Sequence, residues 1–191
     1  MTDIEIINII LHGDRDKFRL LVEKYQSMVF RTCMGFLHDK DDADDLTQEV
    51  FIQTYQSLKS FRGGSAFSTW IYRIAINASL NRVRKNSGNP ILNRLGSLFD
   101  SGKEKVVSLD AYDNEDPETI LIGQEKSKWI QDALDSLPEN QRTAIVLSKY
   151  DDLSQKEIAG IMKLSEGAVE ALMQRAKANL RVKLISAYKI K

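Results

Sequence analysis

Apolar residues return every three or four positions along most of the chain, the spacing of helices that bury one face. Phe18, Leu21, Val22, Tyr25, Val29, Cys33, Phe36 and Leu37 make one long stripe, which ends at the polar turn HDKDDA. A second helix is expected from about Ala43 to Leu58, with Leu46, Val50, Phe51 or Ile52, and Tyr55 available for burial. FRGGSAF then breaks the rhythm. Its paired glycines permit backbone angles closed to other residues, and a long helix follows from about Ser68 to Lys85.

Residues 87–119 lose the helical period and are rich in Gly, Ser, Asn and Asp. So long an irregular connection is unusual inside a compact domain, so it reads as a linker between two. The expected organisation is all-α: one small helical domain over 1–86, a flexible linker over 87–119 and a second helical domain over 120–191. Helices are expected there at about 120–136, 138–150, 154–162 and 165–186. Pro138 suits the first turn of its helix, where a missing amide costs little.

LSQKEIAGIMKLSEGAVEALMQRAKANL holds two helix starts close together. Ser154 with Glu157 is a capping box, each side chain satisfying an amide at the helix start, and Ser165 can cap a second helix. Ile158, Ile161 and Met162 form a short buried stripe, and Leu164 is expected to pack in the turn. Val169, Leu172, Ala176 and Leu180 continue at helical spacing, and small Ala159 suits a close crossing. This is a helix-turn-helix pattern, whose second helix can lie in a DNA major groove. An ordinary pair of packed helices gives the same pattern.

The 191 residues carry 27 basic and 27 acidic side chains, a formal net charge of zero. The distribution matters more than the sum. Residues 50–99 hold 7 Lys/Arg and no Asp/Glu, and residues 163–191 hold 7 against 2. Residues 1–49 hold 6 against 11, and residues 100–120 hold 2 against 7. Two basic segments, each on an expected helix, could face phosphate locally. No apolar run is long enough to span a bilayer, the amino terminus lacks a signal-peptide pattern, and the single cysteine cannot pair internally. A soluble cytoplasmic protein without a cofactor is expected.

Within the expected second helix, Asp45, Gln48, Glu49 and Ile52 share neighbouring faces. Carboxylates beside exposed apolar groups suit a basic protein partner, though an acidic solvent-facing surface has the same pattern. No histidine lies at metal-binding spacing from these carboxylates. In FRGGSAFSTWIYRIAINASLNRVRKN, Phe61, Phe67, Trp70 and Tyr72 interleave with Arg73, Asn77, Asn81, Arg82, Arg84 and Lys85. Rings of this kind stack unpaired bases while cations hold phosphate. Ile71 and Ile74 are expected in the core, and Trp70 partly so.

The order DDLTQEVF, FRGGSAFSTWIYRIAIN, then LDSLPENQRTAIVLSKYDDLSQKEIAGIMKLSEGAVEALMQRAKANL resembles the extracytoplasmic-function (ECF) sigma factors of bacteria, over almost the whole chain outside the linker. The resemblance implies a transcription initiation factor, not an enzyme, that binds core RNA polymerase, directs it to promoters and promotes −10 melting. By the same resemblance Asp45, Leu46, Gln48, Glu49 and Phe51 bind the clamp helices of the largest polymerase subunit. Phe61, Ser65, Phe67, Trp70, Arg73, Asn77, Asn81, Arg82 and Lys85 belong to the −10 reader. Ser165, Glu166, Ala168, Glu170, Ala171, Gln174, Arg175, Lys177 and Arg181 belong to the −35 recognition helix. It further implies a flap contact on polymerase, a linker threaded through the enzyme, and an anti-sigma partner that can hold the chain at the membrane.

The chain departs from the family's pattern at Glu170 and Leu172, where members commonly carry basic residues. Arg175 and Lys177 keep basic positions, and Glu170 suits a hydrogen bond from a cytosine amino group. Two other function classes remain open on the residues alone. A helix-turn-helix regulator would bind duplex DNA without polymerase and would have no use for FRGGSAFSTW. An enzyme would need a nucleophile–base pair, phosphate loop or metal cluster, and none is visible.

Overall fold

The computed structural model describes residues 1–87 and 127–189, and it is all-helical among them. The first domain comprises α1 (Asp3–Leu11), α2 (Phe18–Leu37), α3 (Lys40–Ser57) and α4 (Phe67–Ser87), with short 3-10 turns at Arg15–Lys17 and Leu58–Ser60. The second comprises α5 over 127–135, α6 (Glu139–Lys149), α7 (Gln155–Met162) and α8 (Glu166–Lys189). The linker expectation, acidic segment included, lies outside the described residues.

Local chemistry sets the helix ends. Thr2 and Glu5 form a capping box at α1. Asp39 accepts from the Asp42 amide at the start of α3, and the Ser154–Glu157 box opens α7 as expected. Ser165 accepts from the Ala168 amide at the start of α8. Helix α2 ends at His38, in the left-handed region at φ 58°, and α7 ends at Lys163 at φ 57°. Neither is glycine, the usual residue there. Pro138 sits one residue earlier than expected, as the extended cap before α6.

The first core collects the inner faces of α1 to α4. Leu21, Val29, Val50, Leu58 and Ile71 are fully enclosed in it, with Tyr25 joining α1 to α2 through a 2.6 Å hydrogen bond to Asp3. The second core is centred on Leu134, Val146, Leu147, Ile158, Val169 and Ala176. Phe36, Tyr72 and Ile76, from α2 and α4, belong to this second core. The two domains therefore share a hydrophobic joint.

The joint is narrow at Gly35. A Cβ placed there would lie 2.6 Å from Val146 Cγ1 and 3.2 Å from the Tyr150 ring. Polar groups close its rim. Buried Arg142 donates to the Phe36 carbonyl at 2.5 Å, its guanidinium lies 5.4 Å from the Phe36 ring centre, and it pairs with Asp135. Thr32 donates to Asp151 Oδ2 at 2.9 Å. Arg84 makes a two-pronged contact with Glu139, at 2.6 and 2.5 Å.

Other expectations within the second domain also change, and Met162 of the expected buried stripe is half-buried. Leu164 in the turn is exposed. On α8 the buried row is Val169, Met173 and Ala176, with Leu172 half-buried. Successive residues lie about 100° apart on a helix, so neighbouring apolar side chains compete for the inner position, and Met173 faces α6 and α7.

Candidate nucleic-acid and partner interface

Helix α3 presents Asp45, Gln48, Glu49 and Ile52 outward, one stripe at three- and four-residue spacing. Ile52 is 56% exposed, an apolar group in an acidic and polar surround. Leu46 and Phe51, expected among the polymerase contacts, are instead core residues at 1% and 7% exposure. They belong to the first core, on the inward side of the helix, and hold the outward stripe in place.

The loop after α3 and the start of α4 form an aromatic cluster. Phe61, Phe67 and Trp70 pack with ring centres 5.4–5.6 Å apart. Phe67, expected in the −10 reader, is a core residue at 2% exposure and forms the base of the cluster. Phe61, Ser65 and Trp70 are half-buried above it. Gly63 takes φ +71°, the left-handed geometry that the paired glycines suggested.

Along α4, Asn77, Asn81 and Lys85 are exposed. Arg82 is tied to Glu49 on α3 at 2.7 Å. Arg73 is also committed: its Nε donates to the Ile161 carbonyl at 2.9 Å and its Nη2 to the Gly160 carbonyl at 2.7 Å. These carbonyls end α7, where helical carbonyls lack partners and a cation is favoured. Arg73 is thus tied to the second domain while remaining half-exposed. Tyr72, expected in the aromatic series, is buried in the joint, and that burial pushes its phenol pKa strongly upward. Ile71 is core as expected, whereas Ile74 is only half-buried at its edge.

Helix α8 exposes Glu166, Glu170, Gln174, Arg175, Lys177 and Arg181, with Ser165 at its cap and Ala168 and Ala171 half-buried between. Gln174 Nε2 lies 3.4 Å from Glu170 Oε1, and Arg175 Nε donates to its own helix at the Ala171 carbonyl, 3.1 Å away. Both contacts are local and exposed, so both side chains can be redirected outward.

The structure adds polar residues that the pattern reading missed. Arg142, in PENQRTAI, and Asp151, in KYDDLS, tie the second domain to α2. The Asp151 side chain is fully enclosed. Its Oδ1 lies 3.4 Å from Arg31 Nε but has no hydrogen-bond donor. Among the described residues no group of His, Cys, Asp and Glu could hold a metal ion, and no helix is long and apolar enough to cross a membrane.

Residues 21–88 match the family model of sigma-70 region 2, and residues 127–180 that of sigma-70 region 4. The chain is 34% identical over 179 residues to the RNA polymerase sigma-H factor of Pseudomonas aeruginosa, covering 92% of this chain and 90% of that one. It is 33% identical over 184 residues to the ECF RNA polymerase sigma-E factor of Haemophilus influenzae, covering 96% of each. Its fold is similar to that of CnrH in complex with the cytosolic domain of CnrY, with TM-score 0.61 and 22% identity over 95% of this chain and 96% of that one. With both sigma-70 regions matched in order and close relatives aligned along nearly its whole length, the chain belongs to the ECF family of RNA polymerase sigma factors.

Proposed function

We propose that this sigma factor binds core RNA polymerase through the exposed stripe of α3, reads the −35 element with α8, and captures and melts the −10 element with the aromatic loop and α4. One observation carries the reading. The two exposed polar helix faces, Asp45 to Ile52 on α3 and Glu170 to Lys177 on α8, fall inside the segments matching sigma-70 regions 2 and 4, with Arg181 one residue beyond the second. Phe61 and Trp70 on a fixed aromatic floor supply stacking surface, and Asn77 and Asn81 supply hydrogen bonds to unpaired base edges. The chain contributes recognition, and the chemistry of RNA synthesis is the polymerase's. We place it in the cytoplasm with polymerase, with an anti-sigma factor as a further protein partner.

Run-off transcription with core polymerase on a promoter library tests the function and reads the specificity together. Division of labour is tested on the promoters so selected. An Arg–guanine contact is worth roughly 1–3 kcal/mol of discrimination, and 1.4 kcal/mol is about tenfold. Arg175→Ala should therefore cost holoenzyme about ten- to a hundredfold in −35 discrimination. Asn77→Ala should leave −35 preference intact and impair opening of duplex templates, and a pre-melted −10 bubble should rescue it. Permanganate footprinting on both templates reads the difference; identical defects for both variants on both templates would overturn the assignment.

A further inference from the structure

Helix α8 divides its charge along its length. Glu166 and Glu170 are the ionisable groups of its first turns, and Arg175, Lys177, Arg181 and Lys183 follow, all of them exposed. The amino-terminal residues of a recognition helix are those that contact base edges. Carboxylates therefore stand at the end nearest the bases, and most of the cations stand further along.

Glu166 has a local explanation, since an acid in the first turn meets the free amides and positive end of the helix. Glu170 does not. It lies a turn beyond those amides and four residues from Glu166, a spacing at which like charges destabilise a helix. Among the described residues it has no ion-pair partner. Its contact is with Gln174 Nε2, 3.4 Å away on the next turn. Stability therefore does not account for this carboxylate. Gly167, three residues before it, and Ala171, beside it, are small, so no bulky side chain holds this part of the helix off a groove floor.

We infer that Glu170 selects a cytosine in the −35 element, its carboxylate accepting a hydrogen bond from the cytosine 4-amino group. This rests on the reading of α8 as the −35 helix. The base edges of the major groove make the choice. Thymine presents O4, and guanine presents O6 and N7, acceptors that repel a carboxylate. Adenine has an amino group, but its N7 acceptor lies beside it. Cytosine alone offers an amino donor with no acceptor next to it on its own edge. Gln174 is a positioning residue, its amide N–H donating to the carboxylate and steadying it from the next turn. The carboxylate also repels the flanking phosphates. A promoter without the cytosine keeps that repulsion and loses the hydrogen bond, so Glu170 adds discrimination more than affinity.

The test uses holoenzyme, assembled from core polymerase and the full chain, in run-off transcription on a promoter library randomised over the −35 element. The parent should favour cytosine at one −35 position. Glu170→Ala should lower that preference about tenfold, raise transcription from promoters lacking the cytosine, and leave the −10 preferences alone. Its melting curve should match the parent's, because the position is exposed. A synthetic promoter carrying N4-methylcytosine at the selected position replaces the amino hydrogen that faces the groove. That change should cost the parent about tenfold and Glu170→Ala little. No cytosine preference in the parent, or an equal preference in Glu170→Ala, would overturn the inference. So would a uniform gain by the variant on every promoter, which would make Glu170 a repulsive charge only. Unaltered −35 discrimination in Arg175→Ala together with Glu170→Ala would instead remove α8 from −35 reading, so the two failures are distinguishable.

Discussion

At the scale of single residues, Asp151 carries the clearest physical tension. Burial disfavours its charged form and pushes its carboxyl above the ordinary carboxylate range, against the Thr32 hydrogen bond and the nearby Arg31 charge. Arg31, Thr32 and Cys33 face it from α2, Tyr72 from α4, and Asp152 adjoins it. A carboxyl whose pKa is higher when the domains are closed binds its proton more tightly in that state. Closure should therefore strengthen as pH falls through the raised pKa and weaken as pH rises above it, in a window just above the ordinary carboxylate range. Asp151→Asn, which cannot ionise, should flatten that part of the profile. Interdomain distance measured against pH gives the answer, and an identical profile in the variant would show that another group titrates.

At the scale of elements, α3 separates its two faces cleanly. Ala43, Leu46, Val50, Phe51 and Thr54 point inward, and Asp45, Gln48, Glu49 and Ile52 point outward. Exposed substitutions usually change stability by no more than about 0.5 kcal/mol, while a central interface side chain costs more than about 1 kcal/mol of binding. Replacing Gln48 and Glu49 together by alanine should weaken competition for core polymerase about tenfold, since about 1.4 kcal/mol is a factor of ten, with an unchanged melting curve. Equal competition by the variant would remove the docking assignment. This face was legible in the sequence because polar and apolar residues alternate with helical period. The Ser154–Glu157 and Ser165 caps were legible for the same local reason. Which of two adjacent apolar residues turns inward was not, as Leu172 and Met173 show, because a neighbouring helix decides it. The left-handed turn at Lys163 was also silent, since lysine has no preference for it.

At the scale of the molecule, periodicity identifies a buried face but not the core it enters. Phe36, Tyr72 and Ile76 look in sequence like any other residues of their stripes, yet they leave the first core and complete the second. The domain joint was invisible for that reason. Its composition gives closure and DNA binding different responses to salt. Most of the contact is apolar, and the polar links from Arg73, Thr32 and Arg142 are shielded from solvent to differing degrees. The Arg84–Glu139 pair lies exposed, where ion pairs contribute little and are screened. Promoter binding as proposed would instead draw on exposed cations of α8 such as Arg175, Lys177 and Arg181. Each phosphate so neutralised lowers log affinity by about 0.9 per log unit of salt. Between about 50 and 200 mM salt, holoenzyme affinity for duplex promoter should fall steeply, while interdomain distance in the free chain stays constant. Energy transfer and promoter binding measured over one salt series compare the two directly. Domains that separate in step with the loss of DNA binding would mean that surface ion pairs, not the apolar joint, hold the closed form.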